Sequence, residues 1–108
     1  PKDHCTIVTF KKNAVRGNHF HKVSVQSAYV LEGNFEIHNV MIDKDLNFDP
    51  KKIEIIKTSK GDYITHEKFE AHTYKCISET GSLMVFTKGV RGGKFYEDDT
   101  YRLKEKLI

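Results

Sequence analysis

The sequence predicts an all-β fold of antiparallel strands. Three observations predict it: short β-rich runs recur along the chain, glycine-bearing turns separate them, and only the two ends invite a helix. The runs are residues 5–10, 26–31, 35–42, 53–57, 62–65, 72–77 and 83–87. Glu32-Gly33-Asn34 and Thr80-Gly81-Ser82 read as tight hairpin turns, since glycine accepts positive φ without a steric cost, and the strands they join read as meanders. Parity supports half-buried strands. Phe35 and Ile37 alternate with Glu36 and His38, and Leu83, Val85 and Thr87 alternate with Met84, Phe86 and Lys88. Neither face is purely polar, so parity alone does not say which side lines a pocket. Residues 43–52, with Asp49-Pro50, have no period and read as a loop between two halves of the fold that tolerates insertion. The tail, residues 100–108, is too short and too charged to assign.

The 108 residues make one domain, residues 1–108, with no room for a separate regulatory or substrate domain. A composition of 38% hydrophobic and 31% charged residues is that of a globular protein, and no apolar run approaches the roughly 20 residues of a membrane helix. No membrane partner is expected. A basic leader with an apolar stretch is missing, which gives a cytoplasmic expectation, although the chain starts at Pro1. Cys5 and Cys76 form neither a CxxC pair nor a disulfide framework. The formal charge of +3 is spread among acids, and the interleaved basic and aromatic pattern of an RNA-binding sheet is missing, so nucleic acid is not expected as a partner. Lys88, Arg91 and Lys94 among Gly89, Gly92 and Gly93 read as an ordinary solvated basic loop, because the strand-to-helix setting of a phosphate loop is lacking.

The sharpest signal is Arg16-Gly17-Asn18-His19-Phe20-His21-Lys22. On a strand, positions i and i+2 share a face, so His19 and His21 converge on one point while Phe20 packs on the other side. Gln26 follows five residues later, then a strand running into Gly33, and a second segment opens at Gly61 and reaches His72. Tyr74 and Cys76 lie on the parity of His72. His4, His38 and His66 receive no role, the last two facing solvent or a turn.

HxH, four residues, Gln26, six residues, Gly33 resembles the first motif of the cupin superfamily, and Gly61 through His72 approximates the second. The resemblance spans about residues 16–87. It implies an RmlC-like double-stranded β-helix, a jelly-roll barrel, with its pocket at His19, His21, Gln26 and His72. In metal-binding cupins these positions are ligands, which implies a divalent Fe, Mn, Ni or Zn. Here a glutamine stands where those cupins carry an acid, and the second motif lacks its Pro and Gly. A neutral amide gives up one negative charge, so metal affinity is expected to fall.

The string Arg16-Gly17-x-His19-x-His21-Lys22-x-x-x-Gln26 is similar to that of the nucleotide-sugar 3,4-ketoisomerases, cupins in which glutamine is normal and no metal is required. This implies a sugar isomerase or epimerase in which His19 and His21 move protons and Arg16 contacts substrate. Lys22 is a further candidate for substrate oxygens, and Tyr74 a pocket hydroxyl by strand parity. The stretch Glu97-Asp98-Asp99-Thr100-Tyr101-Arg102 loosely resembles the tail of those enzymes. The chemistry is consistent, since moving a carbonyl between adjacent carbons needs proton removal beside the ketone and return through an enediol. The alternatives are a metal-dependent dioxygenase or lyase using His19, His21, Gln26 and His72, and a non-catalytic ligand-binding cupin. The expected partners are a small molecule such as a nucleotide-sugar and a second copy of the chain, paired through an edge strand.

Overall fold

The computed structural model describes residues 4–88 and 99–108. Among these residues nine strands form, where the β-rich runs were expected and at two further places: β1 (His4–Lys11), β2 (Val15–Phe20), β3 (Val25–Glu32), β4 (Phe35–Met41), β5 (Glu54–Thr58), β6 (Tyr63–His66), β7 (Glu70–Cys76), β8 (Thr80–Lys88) and β9 (Tyr101–Arg102). They build a four-stranded sheet in the order β1-β8-β3-β6 and a five-stranded sheet in the order β5-β4-β7-β2-β9. Every described pairing is antiparallel. This is a jelly roll. Among the described residues no helix is long and apolar enough to cross a membrane.

The meander expectation is corrected. Among the described strands only β4 and β5 are neighbours both in sequence and in a sheet; every other consecutive pair lies in different sheets. At Glu32-Gly33-Asn34 it crosses between sheets, with Gly33 at φ 86, where an added Cβ would stand 2.5 Å from Thr80 O. Thr80-Gly81-Ser82 is no turn at all but the start of β8, and the crossing before it runs through residues 77–79. Gly81 is small for another reason: the Phe35 ring and the Cys76 thiol fill the place of its side chain, at 2.7 and 3.0 Å from an ideal Cβ. The Ser78 hydroxyl holds this crossing, accepting from Asn34 N at 2.9 Å and donating to Thr80 O at 2.7 Å.

Between the sheets lies the main core of Phe10, Ala28, Val30, Phe35, Ile37, Tyr74, Cys76 and Leu83. Phe10 and Phe35 meet edge to face at 4.9 Å, the arrangement their ring quadrupoles favour. Burying each large apolar side chain here contributes roughly 1.5–3 kcal/mol. A second cluster of Phe20, Val40, Ile42 and Ala71 is covered by Phe48, Ile53, Tyr101, Leu103 and Leu107. The stretch 43–52 is therefore more than a tolerant loop. It delivers Phe48 to this cluster, accepts Asp45 N and Asn47 N on the Asp43 carboxylate, and ends in a 3-10 turn, Pro50–Lys52, capped by Asp49. Cys5 is exposed and Cys76 buried, both as free thiols.

Candidate functional site

The site exists because β2 is an irregular strand. Arg16 and His19 are three residues apart and would face opposite sides of a regular one. A bulge between Gly17 and His19 in the pairing with β7 brings them to one side: Arg16 pairs with Tyr74, Gly17 with Thr73 and His19 with His72. Arg16, His19, His72 and Tyr74 all line a cavity of about 570 Å³. Gly17, at φ 120, lets β2 approach so closely that a Cβ there would lie 2.6 Å from His72 O. Asn18, at φ 56, is tied by its N–H to Thr73 Oγ1 at 3.0 Å. Past the bulge, Phe20 turns away and stacks on Tyr101 at 5.4 Å.

The rings of His19, His21 and His72 converge, with one nitrogen from each lying within 4.8 Å of the others. Their hydrogen bonds set their tautomers. His21 donates from Nδ1 to Asp99 O at 3.0 Å, which leaves the lone pair on Nε2. Asp99 is pinned for this purpose. Its carboxylate accepts the N–H groups of Lys22, Val23 and Ser24 and the Ser24 hydroxyl at 2.8–3.1 Å. Burial alone would raise this carboxyl, and the bonds from Ser24, Lys22 and Val23 hold it below its ordinary value.

His72 donates from Nδ1 to Glu70 O at 3.0 Å, and its Nε2 lies 2.8 Å from the end of the Gln26 side chain. Desolvation, then the neighbouring histidines, pushes His72 well below the usual imidazole range, so its one proton is spent on Glu70. As placed, Gln26 Oε1 faces His72 Nε2 and the amide nitrogen lies 3.5 Å from the Thr87 hydroxyl; with the His72 proton spent on Glu70, the amide bonds Nε2 only when turned over, NH2 toward the ring and oxygen toward Thr87. His19 has the opposite tautomer. Its Nδ1 accepts from the Arg102 guanidinium at 3.3 Å, so Nε2 carries the proton. Burial, then His21 and Arg102, lowers its pKa to about 3.

One expectation fails outright. His66 does not face solvent or a turn: it ends β6 opposite Gln26, is buried, and stacks on His72 at 4.2 Å with the rings 9° apart. Its Nε2 shares a hydrogen bond with the Tyr74 hydroxyl, its Nδ1 lies 3.9 Å from Glu70 Oε1, and desolvation lowers its pKa to about 4. The available signal was parity, because Ile64 packs on the core and His66 is two residues on. His38 is half-buried and bonds Glu36 at 2.7 Å.

Lys22 is not brought to the cavity wall; its ammonium sits 4.3 Å over the Tyr101 ring. Among the described residues the cations that do line the cavity are Arg16, Arg102 and Lys106. Arg102 and Lys106 come from the unassigned tail, where β9 pairs His19 with Arg102. Of the expected basic loop, Lys88 ends β8, and Gly89 through Lys94 lie outside the described residues.

No protein-family model and no curated protein sequence matches the chain. Solved structures do match in fold. CapF, a capsular polysaccharide assembling protein from Staphylococcus aureus, superposes with a TM-score of 0.76 at 17% identity over 96% of this chain, which spans 29% of CapF. A dTDP-4-dehydrorhamnose 3,5-epimerase from Elizabethkingia anophelis NUHP1 gives 0.71 at 16% identity, covering 90% of this chain and 53% of that one. KdgF from Halomonas sp. gives 0.68 at 20% identity, covering 85% and 73%. The chain has an RmlC-like cupin fold.

Proposed function

We propose that this chain is an isomerase or epimerase of nucleotide-linked keto-deoxysugars that works by histidine acid–base chemistry. The observation that carries the reading is the pair of opposite tautomers beside one cation-edged cavity. His19 offers an N–H and His21 a lone pair, that of His72 being met by the Gln26 amide, and all three rings are packed together. A lone-pair nitrogen takes the proton from the carbon beside the ketone. The electron pair left behind moves onto the carbonyl oxygen as an enediolate; for isomerisation the adjacent hydroxyl passes its proton to that oxygen while a ring N–H protonates the former carbonyl carbon, and for epimerisation a ring N–H returns a proton to the same carbon from its other face. Arg16, Arg102 and Lys106 offset the charge of the enediolate and of the diphosphate. An anion in the cavity would also counter the burial that lowers His19, drawing its pKa back toward neutrality. The epimerase among the fold neighbours, acting on a dTDP-linked keto sugar by its name, supports the substrate class.

Incubation with a panel of dTDP- and UDP-linked 4-keto sugars in deuterated water tests this. Proton NMR should show loss of a ring-proton signal beside the carbonyl. His19→Asn and His21→Asn should each slow that loss at least roughly a hundredfold, the usual size of an acid–base contribution. His38→Asn, on the outer face, should not. Exchange that persists in both pocket variants, or appears with no keto sugar, would overturn the reading; binding without exchange would move the chain to the ligand-binding cupins.

A second reading has its own observation. Three imidazoles within 4.8 Å, two of them with Nδ1 anchored on backbone carbonyls, are the donor chemistry of a divalent Fe, Mn, Ni or Zn site. His19, His21 and His72 would hold the ion beside Gln26, and when bound it would polarise a substrate oxygen. The Arg102 contact on His19 Nδ1 opposes this, because it must break for His19 to ligate through either nitrogen in a favourable tautomer.

A further inference from the structure

Residues 101–108 lie against β2 as a strap with two kinds of side chain. Tyr101, Leu103 and Leu107 pack on the second core cluster, while Arg102 and Lys106 reach the cavity. Exposed Lys104 and Glu105 between them do not line it. One residue of β2 fastens the strap twice. Asn18 accepts Leu103 N on its backbone carbonyl at 2.9 Å, and Leu107 N and Ile108 N on its side-chain Oδ1 at 2.7 and 3.4 Å. Its own N–H is spent on Thr73 Oγ1. The backbone there is left-handed, at φ 56, which asparagine tolerates better than most residues with a side chain. Past β9 the strap has no strand or helix of its own, so a backbone N–H there needs a partner from elsewhere. Asn18 supplies it.

We infer that the Asn18 amide is a positioning residue of an anion site: by fixing Leu107 it holds the adjoining Lys106 at the cavity, where Lys106 and Arg102 together take a phosphate-class anion. The chemistry of the pair supports this. An arginine fork matches two oxygens of one phosphoryl group, and a lysine adds a point charge beside it. Both described contacts of Arg102 run through Nη1, to Gly17 O at 3.2 Å and His19 Nδ1 at 3.3 Å, one of three nitrogens in a fork of five donors. Lysine lacks such a fork. Its charge rides on a flexible stem, so fixing the peptide next to it removes one source of spread. In the isomerase reading, on which the identity of the ligand rests, the anion is the diphosphate. Arg102 pairs with His19 directly, whereas Arg16 lies two residues along β7 from that rung, over the Phe10 ring. The diphosphate therefore belongs at the strap, and Arg16 is left for the far end of the cavity.

Calorimetry of the full chain with inorganic pyrophosphate, and separately with dTDP, tests this. Both should bind, more weakly as salt rises. Lys106→Gln should weaken pyrophosphate roughly tenfold, the scale of one hydrogen bond to a charged group. Asn18→Gly, which keeps the left-handed turn without strain, should do the same. The double variant should bind no more weakly than Lys106→Gln alone, because Asn18 acts through Lys106. Losses that add would make Asn18 a direct contact or a general prop and overturn the inference. So would a wild type that takes no pyrophosphate, an unchanged affinity in Asn18→Gly, or an Arg16→Gln variant that loses more than Lys106→Gln. Lys57→Gln, on the outer side of the five-stranded sheet, should change nothing. If Asn18→Gly does not fold, hydrogen exchange on the wild type decides: the Leu107 amide should be protected, and more so with pyrophosphate, and rapid exchange in both states sinks the idea. Pyrophosphate that binds with this pattern while dTDP does not, or while no keto sugar exchanges, keeps the anion site and removes the nucleotide-sugar reading.

Discussion

His72 shows how one residue's partners decide what it can do. Its Nδ1–H is committed to Glu70 O, and its Nε2 lone pair is met by the neutral Gln26 amide. A carboxylate in the same place would bring the charge a divalent ion lacks here. Gln26→Glu is therefore expected to raise metal affinity, and loss of any one of the three imidazoles to lower it steeply. Elemental analysis and competition titration of protein purified without a histidine tag check this. Less than about a tenth of an ion per chain, with Gln26→Glu no better, would remove the metal reading. The convergence of His19 and His21 was legible from their i, i+2 spacing, and Gln26 and His72 were placed beside them by the resemblance to the cupin motifs. His66 was not, because the β6 run was read one residue short and its histidine assigned to a turn. Arg102 was hidden for a different reason: a two-residue strand has no period to read, and its value lies wholly in the long-range pairing with His19.

At the scale of elements the bulged β2 matters most, because the bulge turns both Arg16 and His19 to the cavity. Gly17 makes it possible. Gly17→Ala would set a Cβ 2.6 Å from His72 O and 2.8 Å from Thr73 Cα, at a φ that L residues adopt only under strain. The cost should be on the order of 1–3 kcal/mol, or a fall of roughly 4–8 °C in Tm per kcal/mol for a chain of this size. Gly33→Ala meets a similar clash at a turn outside the cavity lining and serves as the control. Thermal unfolding should show both losses, while isotope exchange into substrate should collapse only in Gly17→Ala. Equal exchange in the two variants would mean that the bulge does not position the site. The individual strands were legible because β-branched and aromatic runs are local. Which strand pairs with which was not, because β3 to β4 and β7 to β8 cross between sheets through links as short as a hairpin turn. Gly81 misled for the same reason, since a glycine vacated for the Phe35 ring looks in sequence like one that turns the chain.

For the molecule as a whole, a core built over neutral imidazoles makes acid its weak side. Unfolded histidines titrate near 6.5. In the fold desolvation carries His66 to about 4, His19 to about 3 and His72 well below its ordinary value. Between those values and 6.5 the unfolded chain binds more protons than the folded one, so stability rises with pH through that window. The contribution is complete above about 6.5, is withdrawn as pH falls toward 4, and levels off below about 3. Asp99, held low, adds a loss only at the acid end, while Glu70, raised by its burial, works the other way. One pKa unit is worth about 1.4 kcal/mol, so His66 alone withdraws on the order of 3 kcal/mol. His66→Gln replaces the titrating ring with an amide that still reaches the Tyr74 hydroxyl. Urea midpoints measured from pH 7 to pH 4 on chelator-treated protein, so that only protons compete for the rings, should fall steeply in the wild type. They should fall less steeply in His66→Gln. An identical slope in the two would show that the buried His66 ring takes up its proton without opening the core.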